Sequence, residues 1–204
     1  MNPQKDFLTE DNIDKNPFRQ FSKWYDLALN SGFLHPDAMT LATADKTGKP
    51  SARIVLLKSF DERGFVFFTN YESKKGRELT QNPYATLLFY WDTFDRQVRI
   101  EGSVEKVPLK ESEEYFRSRP RGSQLGALVS SQSNIIESRE ELEKKYEETA
   151  EKYEGKEIPL PENWGGFNLK PAYFEFWQNR DNRLHDRIKY VLENDLWKIE
   201  RLAP

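Results

Sequence analysis

Trp177, Arg180, Arg183, His185 and Arg187 place one aromatic plane, three cations and an imidazole in a single stretch, Trp177-Gln178-Asn179-Arg180-Asp181-Asn182-Arg183-Leu184-His185-Asp186-Arg187. The chain has only 2 histidines, and one of them falls here. Cations held beside an aromatic ring and a titratable imidazole suit a planar, anionic ligand such as a phosphorylated heterocycle. A salt-bridged surface turn would use the same residue types.

Other candidate donors lie upstream. Arg53 opens an apolar run and Lys58 closes it; strand alternation puts the two on opposite faces, so one ligand reaches both only near a strand end or a bulge. Ser73-Lys74-Lys75 stands at the start of a predicted helix, where free backbone N–H groups and two ammonium groups suit a phosphate; an exposed basic turn is the alternative. The Gln97 amide can pair with the edge of a heterocycle or simply face solvent. Tyr115, Arg119 and Ser123 are spaced by four and would offer a phenol, a guanidinium and a hydroxyl to one anion along a helix that Pro120 interrupts. Ser130-Ser131-Gln132-Ser133 adds hydroxyls and an amide, which would serve equally as a capping loop. The chain shows no acid/base carboxylate pair and no serine-histidine-aspartate arrangement. This donor set suits two phosphates and one or two flat rings, with the difficult chemistry left to a bound cofactor.

The elements that must position these groups follow from periodicity. Residues 1–15 are polar, acidic and aperiodic and predict a mobile arm; residues 16–204 predict one domain. Asn16-Pro17 reads as an N-cap and first helical residue, with Phe18, Phe21, Trp24, Tyr25 and Ala28 at helical spacing and Gly32 as the stop. Strands are predicted at 39–44, 52–58, 65–70, 84–91, 97–107, 172–177, 188–193 and 197–202. Helices are predicted from Ser73 to before Asn82, from Pro108 to Leu128 in two pieces, and from Ser138 to Tyr153 behind a Ser138-x-x-Glu141 capping box. Pro159-Leu160-Pro161 and Gly165-Gly166 read as punctuation. Short strands with inserted rather than alternating helices predict a mainly β fold, a closed or split antiparallel barrel with added helices.

Composition narrows the function classes. The 204 residues carry a formal net charge of −3, which gives no sign of a nucleic-acid binder. Zero cysteines exclude disulfides and thiol nucleophiles, and two histidines make a zinc site a poor fit. No apolar run is long enough to span a membrane and the N-terminus has no hydrophobic signal core, so a soluble cytoplasmic protein is expected.

Eleven segments in order, from Asn16 to the last residue, resemble the pyridoxamine 5′-phosphate oxidase (pyridoxine 5′-phosphate oxidase) family. They are Arg53-Ile54-Val55-Leu56-Leu57-Lys58, Phe68-Thr69-Asn70, Ser73-Lys74-Lys75, Arg96-Gln97-Val98, Tyr115-Phe116-x-Ser118-Arg119-Pro120, Ser123-Gln124-Leu125-Gly126, Ser131-Gln132-Ser133, Pro159-x-Pro161-x-x-Trp164-Gly165-Gly166, Phe176-Trp177-Gln178, Arg183-Leu184-His185-Asp186-Arg187 and Trp197-Lys198-Ile199-x-Arg201-Leu202-Ala203-Pro204. The resemblance implies an FMN-binding split β-barrel and a homodimer with FMN at the subunit interface. It implies FMN contacts from Arg53, Ile54, Val55, Leu56, Leu57, Lys58, Phe68, Thr69, Lys74, Lys75, Gln97, Gln132, Ser133, Trp177 and Arg187. It implies that Lys58, Tyr115, Arg119 and Ser123 hold the substrate phosphate, with Arg183, Leu184 and His185 at the pyridine ring and Arg183 and His185 as catalytic residues. The implied reaction oxidises pyridoxine or pyridoxamine 5′-phosphate to pyridoxal 5′-phosphate by hydride transfer from C4′ to FMN, with O2 reduced to H2O2. Related oxidases of phenazine biosynthesis share the fold and are the alternative within it; a non-catalytic flavin or pyridoxal-phosphate carrier is the alternative outside enzymes. Two departures stand out. Many family members carry tyrosine at the position of Phe68 and arginine at that of Lys74. Some carry a basic, tyrosine-containing arm over the substrate, whereas residues 1–15 here have neither arginine nor tyrosine and are assigned no substrate contact.

Overall fold

The computed structural model describes residues 7–204. Helix α1 (Pro17–Leu29) begins where expected: the Asn16 side chain accepts from the N–H groups of Phe18 and Arg19, and Pro17 sits at the first helical position. Its apolar face buries Phe21, Trp24 and Ala28. The hairpin β1 (Ala38–Ala44) and β2 (Pro50–Leu56) follows, then β3 (Ser59–Asp61) and β4 (Gly64–Asn70). Helix α2 (Lys74–Gln81), capped by Ser73, leads into β5 (Tyr84–Trp91) and the long β6 (Arg96–Lys106). Helices α3 (Leu109–Ser118), α4 (Arg121–Val129) and α5 (Arg139–Lys152) come next. The chain ends in β7 (Trp164–Gln178), β8 (Asp186–Glu193) and β9 (Leu196–Arg201).

All strand pairs are antiparallel, in the order β2-β1-β5-β6-β7-β4-β3, with β8 on β7 and β9 on β8. The expected mainly β architecture with added helices is what forms. β7 does two jobs. Its first half, Trp164 to Leu169, pairs with β4, and its second half, Tyr173 to Gln178, pairs with β8. The inner face of the curled sheet meets α1 in an aromatic core: Phe21 packs edge-on against Phe60, Phe65 and Phe89, with ring centroids 4.9–5.0 Å apart. Burying each such ring contributes about 1.5–3 kcal/mol, and edge-to-face pairing adds about 0.5–1.5. A second, smaller core of Phe116, Leu125, Ile158 and Trp164 fastens α3 and α4 to the start of β7.

Two expectations need correction, and one short strand was not expected. Residues 7–15 do not form a mobile arm: Leu8 and Ile13 are buried in the main core, Tyr190 donates to the Asp14 carbonyl at 2.5 Å, and Arg201 pairs with Glu10 at 2.8 Å. Residues 1–6 lie outside the described part. Gly165-Gly166 is not punctuation but the start of β7, where a Cβ on either residue would press into Tyr71, Ser112, Val107 or Phe68. β3 is a three-residue strand too short to carry a period of its own.

Candidate active site

The predicted residues fall into three groups. The first gathers where β4, α2 and the loop after α4 meet. Lys75 is buried, and its Nζ donates to Thr69 Oγ1 at 3.1 Å and to Gln132 Oε1 at 2.9 Å. Thr69 in turn donates to Gln132 at 3.1 Å. Burial pushes the Lys75 ammonium below its usual range, the nearby Arg53 cation adds to this, and Glu78 opposes it. Arg53 lies on the inward side of β2, where its guanidinium binds Leu41 O and Thr43 Oγ1 at 3.0 and 2.6 Å, Glu78 at 3.2 Å, and Ser51. Lys74 is mostly exposed and 3.9 Å from Glu78. Ser133, next to Gln132, has φ +70°, a left-handed conformation that turns the loop sharply. Lys58 lies just beyond the end of β2 and pairs with Asp37 at 3.3 Å. Ile54 and Leu56 share the outward side of β2 and are 64% and 38% exposed, whereas Val55 and Leu57 are core.

The second group flanks the same end of β4 from its other face. Phe68, Tyr115 and Trp164 stack in parallel, with Phe68 and Tyr115 centroids 4.0 Å apart. The contact is ring on ring, so phenylalanine at this position needs no hydroxyl. Arg119 lies 4.7 Å above Trp164, and its Nη1 is buried without a hydrogen-bond partner. Burial disfavours its charged form; only the Tyr115 phenol works the other way. Pro120 breaks the helix as expected: Arg119 is the extended C-cap of α3, and Ser123 sits exposed in the first turn of α4. The four-residue spacing therefore does not lie along one continuous helix.

The third group lies on the outer sheet face. Tyr90, Gln97, Trp177 and Arg187 stand abreast on β5, β6, β7 and β8. His185 packs against Trp177 with centroids 4.8 Å apart. Arg183 and Leu184 are exposed in the turn before β8, where Asn182 and Arg183 both have positive φ, 56° and 61°. Asn182 and Arg183 thus make a tight left-handed turn, as Asn194 and Asp195 do between β8 and β9. Sequence reasoning missed Glu175, which is 3% exposed and joins Arg187 at 2.8 Å to Arg99 at 2.6 Å. A lone glutamate between Phe174 and Phe176 was the available signal. It likewise missed Glu78, the buried partner of Arg53.

The Lys75 and Arg119 clusters and the Trp177 row lie at different places along β7. Thr69, which holds the Lys75 cluster, and Trp164, which holds Arg119, stand at the start of β7, and Trp177 and Arg187 stand at its end, whereas Ile54 of β2 falls in line with Thr40, Leu88, Arg99 and Glu175 near that end. Along a strand rising about 3.3 Å per residue, the two ends are separated by roughly 40 Å of chain.

The family model for pyridoxamine 5′-phosphate oxidase matches residues 28–153, and a second, for the C-terminal dimerisation region of pyridoxine 5′-phosphate oxidase, matches residues 164–204. This chain belongs to the pyridoxamine 5′-phosphate oxidase family. The pyridoxine/pyridoxamine 5′-phosphate oxidase of Nostoc punctiforme is 58% identical over 97% of this chain and 92% of its own length. The chloroplastic pyridoxine/pyridoxamine 5′-phosphate oxidase 1 of Arabidopsis thaliana is 56% identical over 97% of this chain, which spans 38% of that protein. The crystal structure of PhzG from Burkholderia lata 383, in complex with tetrahydrophenazine-1-carboxylic acid, superposes with a TM-score of 0.91 at 31% identity, covering 98% of both chains. Strands β7 to β9 of this oxidase-family chain are thus its dimerisation region, and the Gln97-Trp177-Arg187 row lies on them and on the adjoining β6. No helix among the described residues is long and apolar enough to cross a membrane.

Proposed function

We propose that this chain oxidises pyridoxine 5′-phosphate and pyridoxamine 5′-phosphate to pyridoxal 5′-phosphate as an FMN-dependent homodimer, with each site built from both subunits. The observation that carries the reading is the separation along β7. Donors suited to phosphates crowd one end, and the aromatic-cation row occupies the other, within the dimerisation region. Pairing two copies through the outer face lets one subunit's row meet its partner's phosphate-binding end. Exposed Ile54, Leu56 and Tyr90 on that face supply apolar area to bury.

The residues fit FMN. Lys75 is a buried cation whose bonded partners are neutral, and Arg119 has a buried, unpaired N–H group with no carboxylate against it. Both arrangements favour an incoming anion. Lys74, Lys75, Thr69, Gln132 and Ser133 hold the flavin phosphate, with Arg53 adding positive charge behind them. Residues 54–58 and Phe68 line the flavin, and Gln97, Trp177 and Arg187 of the partner subunit close over it. Lys58, Tyr115, Arg119 and Ser123 anchor the substrate phosphate, while Arg183, Leu184 and His185 of the partner subunit press on the pyridine ring. When bound, FMN supplies the sink for the hydride leaving C4′ and passes the electrons to O2, giving H2O2. The protein's own contribution is positioning: two anchored phosphates and two stacked rings fix the reacting carbon.

Anaerobic addition of pyridoxine 5′-phosphate to the FMN-loaded protein tests this. The yellow flavin band should bleach, and admitting O2 should restore it with formation of H2O2. A flavin that stays oxidised with this substrate and with pyridoxamine 5′-phosphate overturns the assignment.

A further inference from the structure

His185 receives a hydrogen bond that decides what it can do. The backbone N–H of Arg180 donates to His185 Nδ1 at 3.2 Å. Two contacts hold Arg180 in place for this. Its Nε lies 3.3 Å from Asp186 Oδ2, its guanidinium covers the Phe7 ring at 3.3 Å, and Asp186 is itself tied to Arg201 at 2.9 Å. The imidazole is fixed on its other side by Trp177.

A backbone N–H is never an acceptor, so Nδ1 must present its lone pair to it. In a neutral imidazole the single proton then resides on Nε2. Nε2 is the nitrogen not engaged by the turn, and so the one left to face a ligand.

We infer that His185 meets the substrate as a hydrogen-bond donor through Nε2–H, and that it does not receive the proton released when the substrate is oxidised. Neutral, it has no free lone pair; protonated, both nitrogens are donors. The ligand group it takes is an oxygen acceptor carried by the pyridine ring. The released proton leaves to water. The hydride, with both bonding electrons, departs from C4′, so the carbon–oxygen double bond forms and charge balances without the histidine. The choice of ligand rests on the proposed function, but the tautomer does not.

Histidine-selective 15N labelling of the FMN-loaded protein tests the tautomer directly, because only 2 histidines need resolving and His35→Gln assigns them. The expected two-bond 1H–15N pattern shows a protonated Nε2 and a bare Nδ1. A protonated Nδ1 with bare Nε2 overturns the inference, whatever the enzyme's activity. Affinity for pyridoxal 5′-phosphate supplies a second readout. Loss of one neutral hydrogen bond should weaken binding by up to about tenfold in His185→Ala. His185→Gln, whose amide nitrogen keeps a donor near the Nε2 position, should recover most of that loss. Equal weakening in both variants, with FMN content unchanged, contradicts a donor role. If flavin bleaching fails while the Nε2–H pattern is found, the substrate assignment falls and the tautomer stands.

Discussion

Glu175 and Arg187 are diagonal neighbours on β7 and β8, joined at 2.8 Å between Oε1 and Nε. The other carboxylate oxygen takes Arg99 at 2.6 Å and the Tyr173 hydroxyl at 3.1 Å. Arg187 is thereby held beside Trp177, with its Nη1 on the Ala203 carbonyl at 2.9 Å. Burial alone would raise the Glu175 carboxyl, but hydrogen bonds and attraction from Arg187 and Arg99 outweigh it and leave it below the usual range. The folded value lies below the unfolded one, so the unfolded chain binds more protons between them. The stability Glu175 contributes is complete above about pH 5 and lost as pH falls through the folded value. Glu175→Gln should therefore cost about 3–5 kcal/mol at pH 7, by urea unfolding, and progressively less as pH falls below the folded value. A loss independent of pH would mean that packing, not charge, is what Glu175 provides.

Lys75 and Lys74 are adjacent but unequal. Lys75 is buried and bonded, whereas Lys74 is 58% exposed at its side chain. Lys75→Ala should weaken FMN binding about 10- to 100-fold, the worth of a charge-assisted hydrogen bond, and Lys74→Ala no more than about fivefold. Fluorescence titration of the apoprotein measures both. The reverse ranking would move the phosphate toward solvent.

Arg119 should act on substrate rather than flavin. Arg119→Met keeps apolar contact with Trp164 and removes the unpaired donor. KM for pyridoxine 5′-phosphate should rise at least about tenfold with FMN affinity unchanged. Parallel losses of substrate and flavin affinity would place Arg119 in the flavin site.

Arg183 stands exposed in the left-handed turn before β8. Arg183→Leu should lower turnover far more than it lowers FMN content. Equal loss of both would make it a flavin ligand or a structural residue.

Much of this was legible in the chain, for particular reasons. Asn16-Pro17 and Ser138 cap helices as expected because capping needs only neighbouring residues. Two-residue alternation correctly separated exposed Ile54 and Leu56 from buried Val55, but β2 ends at Leu56, before Lys58. The first half of β7 stayed hidden because Gly165, Gly166 and Pro171 are there for reasons outside the strand. The glycines admit Tyr71, Val107 and Phe68, and Pro171 sits beside the register shift at Glu101/Gly102. Leu8 and Ile13 were too sparse to show a period, yet each finds a buried site. Glu78 and Glu175 gave no motif, since what marks them is the arginines that the fold brings from other strands. The division of site residues between the two ends of β7 could not be read from spacing, because it depends on how far that strand runs.

That division supports a direct test by subunit complementation. Lys75→Ala and Arg119→Met together disable the phosphate-binding end, and Trp177→Ala with Arg183→Leu disables the row at the other end. Each double variant alone should be nearly inactive. Mixed dimers, isolated with two different tags, should regain one intact site of two and about half the wild-type activity per dimer. Mixed dimers as inactive as either parent would contradict a site shared between subunits.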